Sequence, residues 1–453
     1  MRAFFIVLLG CSLIWLVLQG FRRVQAGDDS AEAGVLLPAA PFVDTASAQS
    51  PLALEPSTQP ASLTPIPSIP QPVAAATVAA APTPDPPKPQ LVESVRGEDD
   101  TTRAIADESE VASLLARRPR DISAYLDGDG RSLPPGRRAL VRALQRVVLG
   151  PVDEARRMAD ELESQDGVRV AEIAYVKQAL STDSVPVVAA SGQDSPLLLG
   201  ATMARLAQRA DAALAAGKSR DAALALGEWL LGELSAPWKA DRESLRTRSE
   251  SLARAQAGYR WNPDGGWSFV DETVREGDSL ISIRKRAIDQ HPNLLMCTGL
   301  IERANALRGG VIHPGQHVRI PTSRASVLVD LDAHWALFRL DDEVVAAWEI
   351  GVGKPGTATP PGEYRAGEKT EQPMWFRPGQ TPVPFGDPEN PLGTRWIAWQ
   401  RPDGTATGLG FHGTKDPESI GDDQSQGCVR MRRDAIEELF EILPRGARII
   451  VQP

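Results

Sequence analysis

Between Arg23 and Lys88 the chain carries no lysine or arginine, and proline, alanine, serine and threonine dominate it. Stretches such as PSTQPASLTPIPSIPQP and APTPDPPKPQ cannot bury enough apolar surface to offset the entropy of ordering, and proline biases them toward extended conformers. Any folded body must therefore follow about residue 95, and residues 25–95 are predicted to be a tether. At about 3.1 Å per residue its full extension is on the order of 200 Å, and a fluctuating chain spans much less.

The tether follows MRAFFIVLLGCSLIWLVLQGFRR, in which Arg2 precedes an apolar run from Ala3 to Leu18, closed by Arg22 and Arg23. A run of about 17–25 residues is needed to cross a bilayer, so this one sits at the lower edge. Residues 1–24 are predicted to be an uncleaved membrane anchor, or alternatively a signal peptide cut after VQA at 24–26. Either places the bulk of the chain outside the cytoplasm, periplasmic or facing the cell wall.

The formal charge of −10 and the lack of a long basic run argue against a nucleic-acid partner. Cysteine is scarce: Cys11 lies in the apolar N-terminus, leaving Cys297–Cys428 as the sole plausible internal disulfide.

Residues 96–255 are rich in Ala, Leu and Arg, with apolar residues three to four apart in segments such as GRRALVRALQRVVLG and SRDAALALGEWLLGEL. That spacing predicts an all-helical, tetratricopeptide-like spacer or protein-docking domain, although no clean repeat appears. In 256–323, a short strand ends at REGDSL, where Asp278 or Ser279 can cap a helix through Ile288. A second helix is expected around Leu294–Leu307, with Cys297 on it as a buried apolar residue, and HPGQHVRIP then turns into a closing strand. The βααβ order with Val274, Gly277, Asp278, Ser279, Leu280, Ile283, Asn305, Ile312, Pro314, Gly315, Gln316, Ile320 and Pro321 resembles the LysM family. That resemblance implies attachment to peptidoglycan glycan strands through Gly277, Asp278, Ser279, Leu280, Asn305, Pro314 and Gly315. His291, His313 and His317 read as ordinary loop or surface histidines.

From about residue 324 the pattern changes to strands: SVLVDL, HWALFRL, EVVAAWEIGVG, GTRWIAW and ARIIVQP, with Asp341–Asp342 as a turn. DAIEELFEILP puts Ile436, Leu439, Phe440 and Leu443 on one helical face stopped by Pro444. Within this mostly-β region, HGTKDPESIGDDQSQGCVRM at 412–431 contains one histidine and one cysteine. A thiol nucleophile needs a base beside it and backbone amides aimed at the developing oxyanion. Gly427 permits a tight turn exposing its own amide and that of Cys428, and His412 is the one strong base candidate nearby. His334, in an early strand run, reads as structural or exposed. Spacing alone leaves two readings open: a catalytic Cys–His pair, or a buried thiol and a hydrogen-bonding histidine.

The same stretch, with VLVDL, VGK at 352–354, TPPGEY at 359–364 and NPLG at 390–393, resembles the L,D-transpeptidase (YkuD-type) family across 324–453. The resemblance implies Cys428 as nucleophile and His412 as base. It further implies that the Gly413 carbonyl orients the imidazole, that amides around Gly427 and Cys428 form the oxyanion hole, and that Ser425 and Arg430 shape the site. One departure is conspicuous: the histidine the family carries before Gly-Cys is Gln426 here. The implied reaction cuts the L–D bond before the terminal D-Ala of a peptidoglycan tetrapeptide through a Cys428 thioester and joins the acyl group to the amine of a second stem. Rival readings are a lapsed LysM-type scaffold, an L,D-carboxypeptidase using water, and an enzyme joining a protein to the wall. No metal-ligand cluster or phosphate-cradling loop is seen in the sequence, and no cofactor is expected. EKTEQPMWFRPGQTPVPFGDPEN is expected to be a lid, and its Trp375 and Phe376 read either as lining a stem-peptide groove or as half-buried packing residues. The architecture expected is thus multidomain: helical spacer 96–255, βααβ LysM-like unit 256–323 and mostly-β catalytic domain 324–453 with one late helix.

Overall fold

The computed structural model describes residues 99–181, 195–262, 265–307, 309–376 and 380–453. The expected anchor at 1–24 and tether at 25–95 lie outside them. Eight α-helices open the described chain: α1 Asp99–Arg117, α2 Ile122–Asp127, α3 Pro135–Leu149, α4 Val152–Glu161, α5 Val170–Ser181, α6 Pro196–Ala215, α7 Ser219–Leu234 and α8 Arg242–Ala257. Pro135 and Pro196 occupy first-turn positions, where the missing N–H costs nothing. Leu115, Ile122, Leu140, Leu144 and Leu197 meet in one apolar cluster. Beside it Arg137 donates to Glu108 and to the buried Glu172, each at 2.6 Å, and Ser195 Oγ donates to Glu172 at 2.8 Å. A buried carboxylate persists only with such partners, and these tie α1, α3, α5 and the start of α6 together.

The βααβ unit follows: β1 Phe269–Thr273, α9 Leu280–Gln290, α10 Thr298–Ala304 and β2 His317–Pro321, with β1 and β2 antiparallel. Ser279 caps α9 reciprocally with Ser282, and Asp278 pairs with Arg286 at 2.9 Å. Asn305 holds the end of α10 to β2, donating to Arg319 O (2.7 Å) and accepting from Arg319 N–H (2.8 Å). Gly277 (φ 78°) and Gly315 (φ 84°) turn the chain in the left-handed region. α10 is shorter than the expected 294–307, because a turn closed by Leu294 N–H to His291 O (2.8 Å) precedes it. Cys297 therefore sits at the cap position before the helix, not within it.

The remainder is a nine-stranded sheet: β3 Ala325–Asp330, β4 Trp335–Leu340, β5 Glu343–Gly353, β6 Gly362–Glu371, β7 Arg395–Gln400, β8 Ala406–His412, β9 Asp423–Ser425, β10 Val429–Met431 and β11 Arg448–Gln452, with α11 Arg433–Ile442 before β11. The order is β10-β8-β7-β6-β11-β3-β4-β5-β9, and β10 also pairs with β5, so the sheet closes on itself at a three-residue strand. α11 covers it with Ile436 and Leu439 fully buried. Cys297 and Cys428 are both free, so the one disulfide open to the folded chain is not made. The buried Cys297 thiol instead donates to Glu441 O of α11 at 3.0 Å.

The helical segment packs directly against this sheet. Trp335, Leu337 and Val344 share an apolar cluster with Leu226, Trp229 and Leu252, and burying side chains of that size stabilises by about 1.5–3 kcal/mol each. At one edge Glu349 of β5 is buried among three arginines: Arg242, Arg246 (3.2 Å) and Arg432 (3.0 Å). Burial pushes its carboxyl up, but the guanidinium hydrogen bonds outweigh this and hold it below the usual range. Arg242 also donates to Ile420 O at 2.7 Å. Gly421 leaves room for that guanidinium, which a Cβ there would meet at 2.0 Å.

Candidate active site

His412 is the last residue of β8 and is buried. Its Nδ1 lies 2.6 Å from the carbonyl oxygen of Gly413. A carbonyl can only accept, so Nδ1 carries the proton and Nε2 is the ring's lone-pair nitrogen. Trp396, its register partner on β7, stacks on the imidazole with centroids 6.0 Å apart and planes at 25°. Next to His412 two glycines meet: a Cβ on Gly393 (φ 63°) would come within 2.8 Å of Gly413 Cα. Burial, reinforced by the nearby Arg430 charge, lowers the His412 pKa to about 4 despite the Gly413 hydrogen bond. The ring is therefore neutral at neutral pH.

Cys428 stands immediately before β10. Parallel pairing of β8 with β10 sets Arg430 opposite His412. Cys428 is two residues back from Arg430, on the same side of the ladder as Arg430 and His412, because side chains alternate with a period of two. Gly427 makes the turn at φ 104°, where a Cβ would press to 3.2 Å from Leu409 Cδ2. Ser425 braces the turn, donating from Oγ to Cys428 O (2.6 Å) and accepting the Gly427 N–H (3.1 Å). The Gly427 amide, expected at the oxyanion position, is thus already engaged. Burial pushes the Cys428 thiol up, and the Gly410 backbone hydrogen bond offsets only part of it. The resting pair is thiol and neutral imidazole.

Cys428 and His412, sixteen residues apart in sequence, line one cavity of about 810 Å³ together with Ser425, Gln426 and Arg430. Its apolar lining is formed by Met374, Trp375, Phe376, Leu392 and Trp396. Arg430 carries the one formal charge among the lining residues, and its Nε and Nη2 are buried without a hydrogen-bond partner. Gln426 is exposed. The residues singled out in the βααβ unit (Gly277, Asp278, Ser279, Leu280, Asn305, Pro314 and Gly315) are not among those lining the cavity. His291, His313 and His317 are exposed, and His334 bonds Asp423 of β9 at 2.6 Å. Among the described residues no cluster of three His, Cys, Asp or Glu could hold a metal.

Sequence reasoning missed Trp396, Gly393 and Glu349 as parts of this framework. GTRWIAW was legible as a strand, but which of its tryptophans meets the histidine depends on register. Gly393 stood within NPLG, a signal that marked the segment without revealing its contact.

The family profile described as the YkuD L,D-transpeptidase catalytic domain matches residues 324–451. The putative L,D-transpeptidase YqjB of Bacillus subtilis is 35% identical over 112 residues, covering 25% of this chain and 62% of the relative. The chain thus spans less than two thirds of that relative's length. The putative L,D-transpeptidase YkuD of Bacillus licheniformis is 30% identical over 160 residues, 34% of this chain and 85% of the relative. Among solved structures, an L,D-transpeptidase from Mycobacterium smegmatis aligns at 24% identity over 31% of this chain and 64% of that one, with a TM-score of 0.24.

Proposed function

The chain belongs to the L,D-transpeptidase (YkuD) family, and on that premise we propose that it is an exported cysteine acyltransferase acting on peptidoglycan stem peptides. The observation that carries this is the convergence of Cys428 and His412 on one cavity, with His412 Nδ1 held by Gly413 O at 2.6 Å.

In the proposed reaction Cys428 Sγ attacks the carbonyl carbon of the amide preceding the terminal D-Ala while its proton passes to His412 Nε2. A neutral imidazole is the form able to take that proton. The oxyanion of the tetrahedral intermediate is met by backbone amide at the Gly427–Cys428 turn, with Cys428 its principal donor because the Gly427 N–H is held by Ser425. Collapse breaks the C–N bond, His412 returns the proton to the departing D-Ala amine, and a thioester remains. The side-chain amine of a diamino acid on a second stem then attacks it, gives its proton to His412 and restores the thiol. Gln426 supplies no proton transfer in this scheme; its exposed amide serves at most as a hydrogen-bonding group at the rim. Outside the catalytic domain, the reading takes residues 1–24 as membrane anchor, the βααβ unit as glycan-binding, and the helices as a docking surface for a protein partner.

The test is intact-mass analysis of the full chain with a carbapenem, alongside Cys428→Ala and His412→Ala. One adduct, absent in the cysteine variant and slowed in the histidine variant, is expected. No adduct on folded protein would sink the enzyme reading and favour a lapsed glycan-binding scaffold. With purified tetrapeptide as donor and acceptor, cross-linked dimer is expected; tripeptide alone would mean that water is the acceptor.

A further inference from the structure

Residues 372–376 and 380–394, between β6 and β7, carry most of the apolar wall of the cavity. The neck is closed by Gln372 N–H to Thr394 O at 2.9 Å. Further in, Trp375 and Val383 exchange two backbone hydrogen bonds of 2.8 and 2.9 Å. The last closure is a side chain. Asn390 is buried, and its Nδ2 lies 2.9 Å from Pro373 O, 3.2 Å from Val383 O and 3.1 Å from Pro384 O. Its Oδ1 accepts the Leu392 N–H at 3.0 Å. One amide therefore joins both limbs of the loop to the turn that re-enters the sheet. Aspartate, of the same shape, offers only acceptors to those three carbonyls and leaves them without a donor.

What this closure holds is surface that the fold does not bury. Met374 and Phe376 are 47% and 69% exposed, beside the thiol's cavity and on the wall that Asn390 pins. Adjoining apolar side chains kept in water at a concave site mark a surface that a ligand covers.

We propose that Asn390 is a positioning residue for the acyl donor: it holds the 373–376 wall so that a stem peptide lies along it with its scissile amide at Cys428. Asn390 acts through the wall and not on the thiol. The inference rests on the functional reading above.

The test compares full-length wild type with Asn390→Asp and Asn390→Ser, measuring D-alanine release from a synthetic tetrapeptide, alkylation of Cys428 by iodoacetamide, and hydrogen exchange at the Trp375 and Val383 amides. For Asn390→Asp, KM rises at least tenfold, kcat changes less than threefold, alkylation stays within twofold, and exchange at both amides accelerates. Serine keeps one donor and gives an intermediate KM, which decides the matter if the aspartate variant fails to fold. An unchanged KM with a lowered melting temperature makes Asn390 merely structural and overturns the proposal; so does alkylation that falls in step with kcat/KM. A wild type that releases no D-alanine sinks the functional reading and this inference together, whereas a working wild type matched by its variants sinks this inference alone.

Discussion

Replacing His412 by glutamine removes from the folded protein a base whose pKa is lowered from 6.5 to about 4. Folding favours the neutral ring, so between those values the unfolded chain binds more protons than the native one, and stability falls as pH falls. The contribution is intact above pH 6.5 and is lost progressively down to about pH 4. One unit corresponds to about 1.4 kcal/mol, so the full loss is about 3 kcal/mol. His412→Gln should therefore lose about 3 kcal/mol less stability than wild type between pH 7 and 4 in urea unfolding. Imidazole NMR of the full chain, with its five histidines, supplies the direct check: the resonance missing from the variant should titrate near pH 4. A midpoint near 6.5, or parallel stability curves for the two proteins, would show that burial does not set the charge of this ring. The same reasoning fixes the state of the nucleophile. Because burial also pushes the Cys428 thiol up, its alkylation should keep climbing toward alkaline pH, with no plateau beginning at acid pH as a stable thiolate–imidazolium pair would give.

Gly393→Ala places a Cβ within 2.8 Å of Gly413 Cα at a φ of 63°, so the carbonyl orienting His412 must shift; D-alanine release should fall more than tenfold, and an undiminished rate would refute the coupling. Gln426→His should change kcat/KM less than threefold, since His412 already serves as base; a large gain would mean that a second imidazole takes part. Glu349→Gln removes a buried carboxylate but leaves three arginine side chains 41–49% exposed, so the cost should be about 1–2 kcal/mol and not the 3–5 kcal/mol of orphaning a buried charge. Thermal melting of the variant checks this, and a drop as severe as that of a core truncation would contradict it.

Much of this protein follows from local signals. Apolar spacing yields the helices from Asp99–Arg117 to Arg242–Ala257, and Ser279 caps α9 because a side-chain oxygen reaches an amide three residues on. The chemistry-bearing pair was legible as residue types within one motif. What that motif does not contain is distance. Residues 406–412 are glycine-rich without clean alternation, and β10 is three residues long; both are strands because neighbours supply their ladder partners, which no window of sequence displays. The parallel β8–β10 pairing is what sets Cys428 and His412 into one cavity. The engagement of the Gly427 amide by Ser425, the neutral state of a buried imidazole, the arginines around Glu349 and the wall pinned by Asn390 arise in the same way. Helix caps are determined by residues within a few positions of one another, whereas burial, register and charge state depend on groups that only the closed sheet brings together.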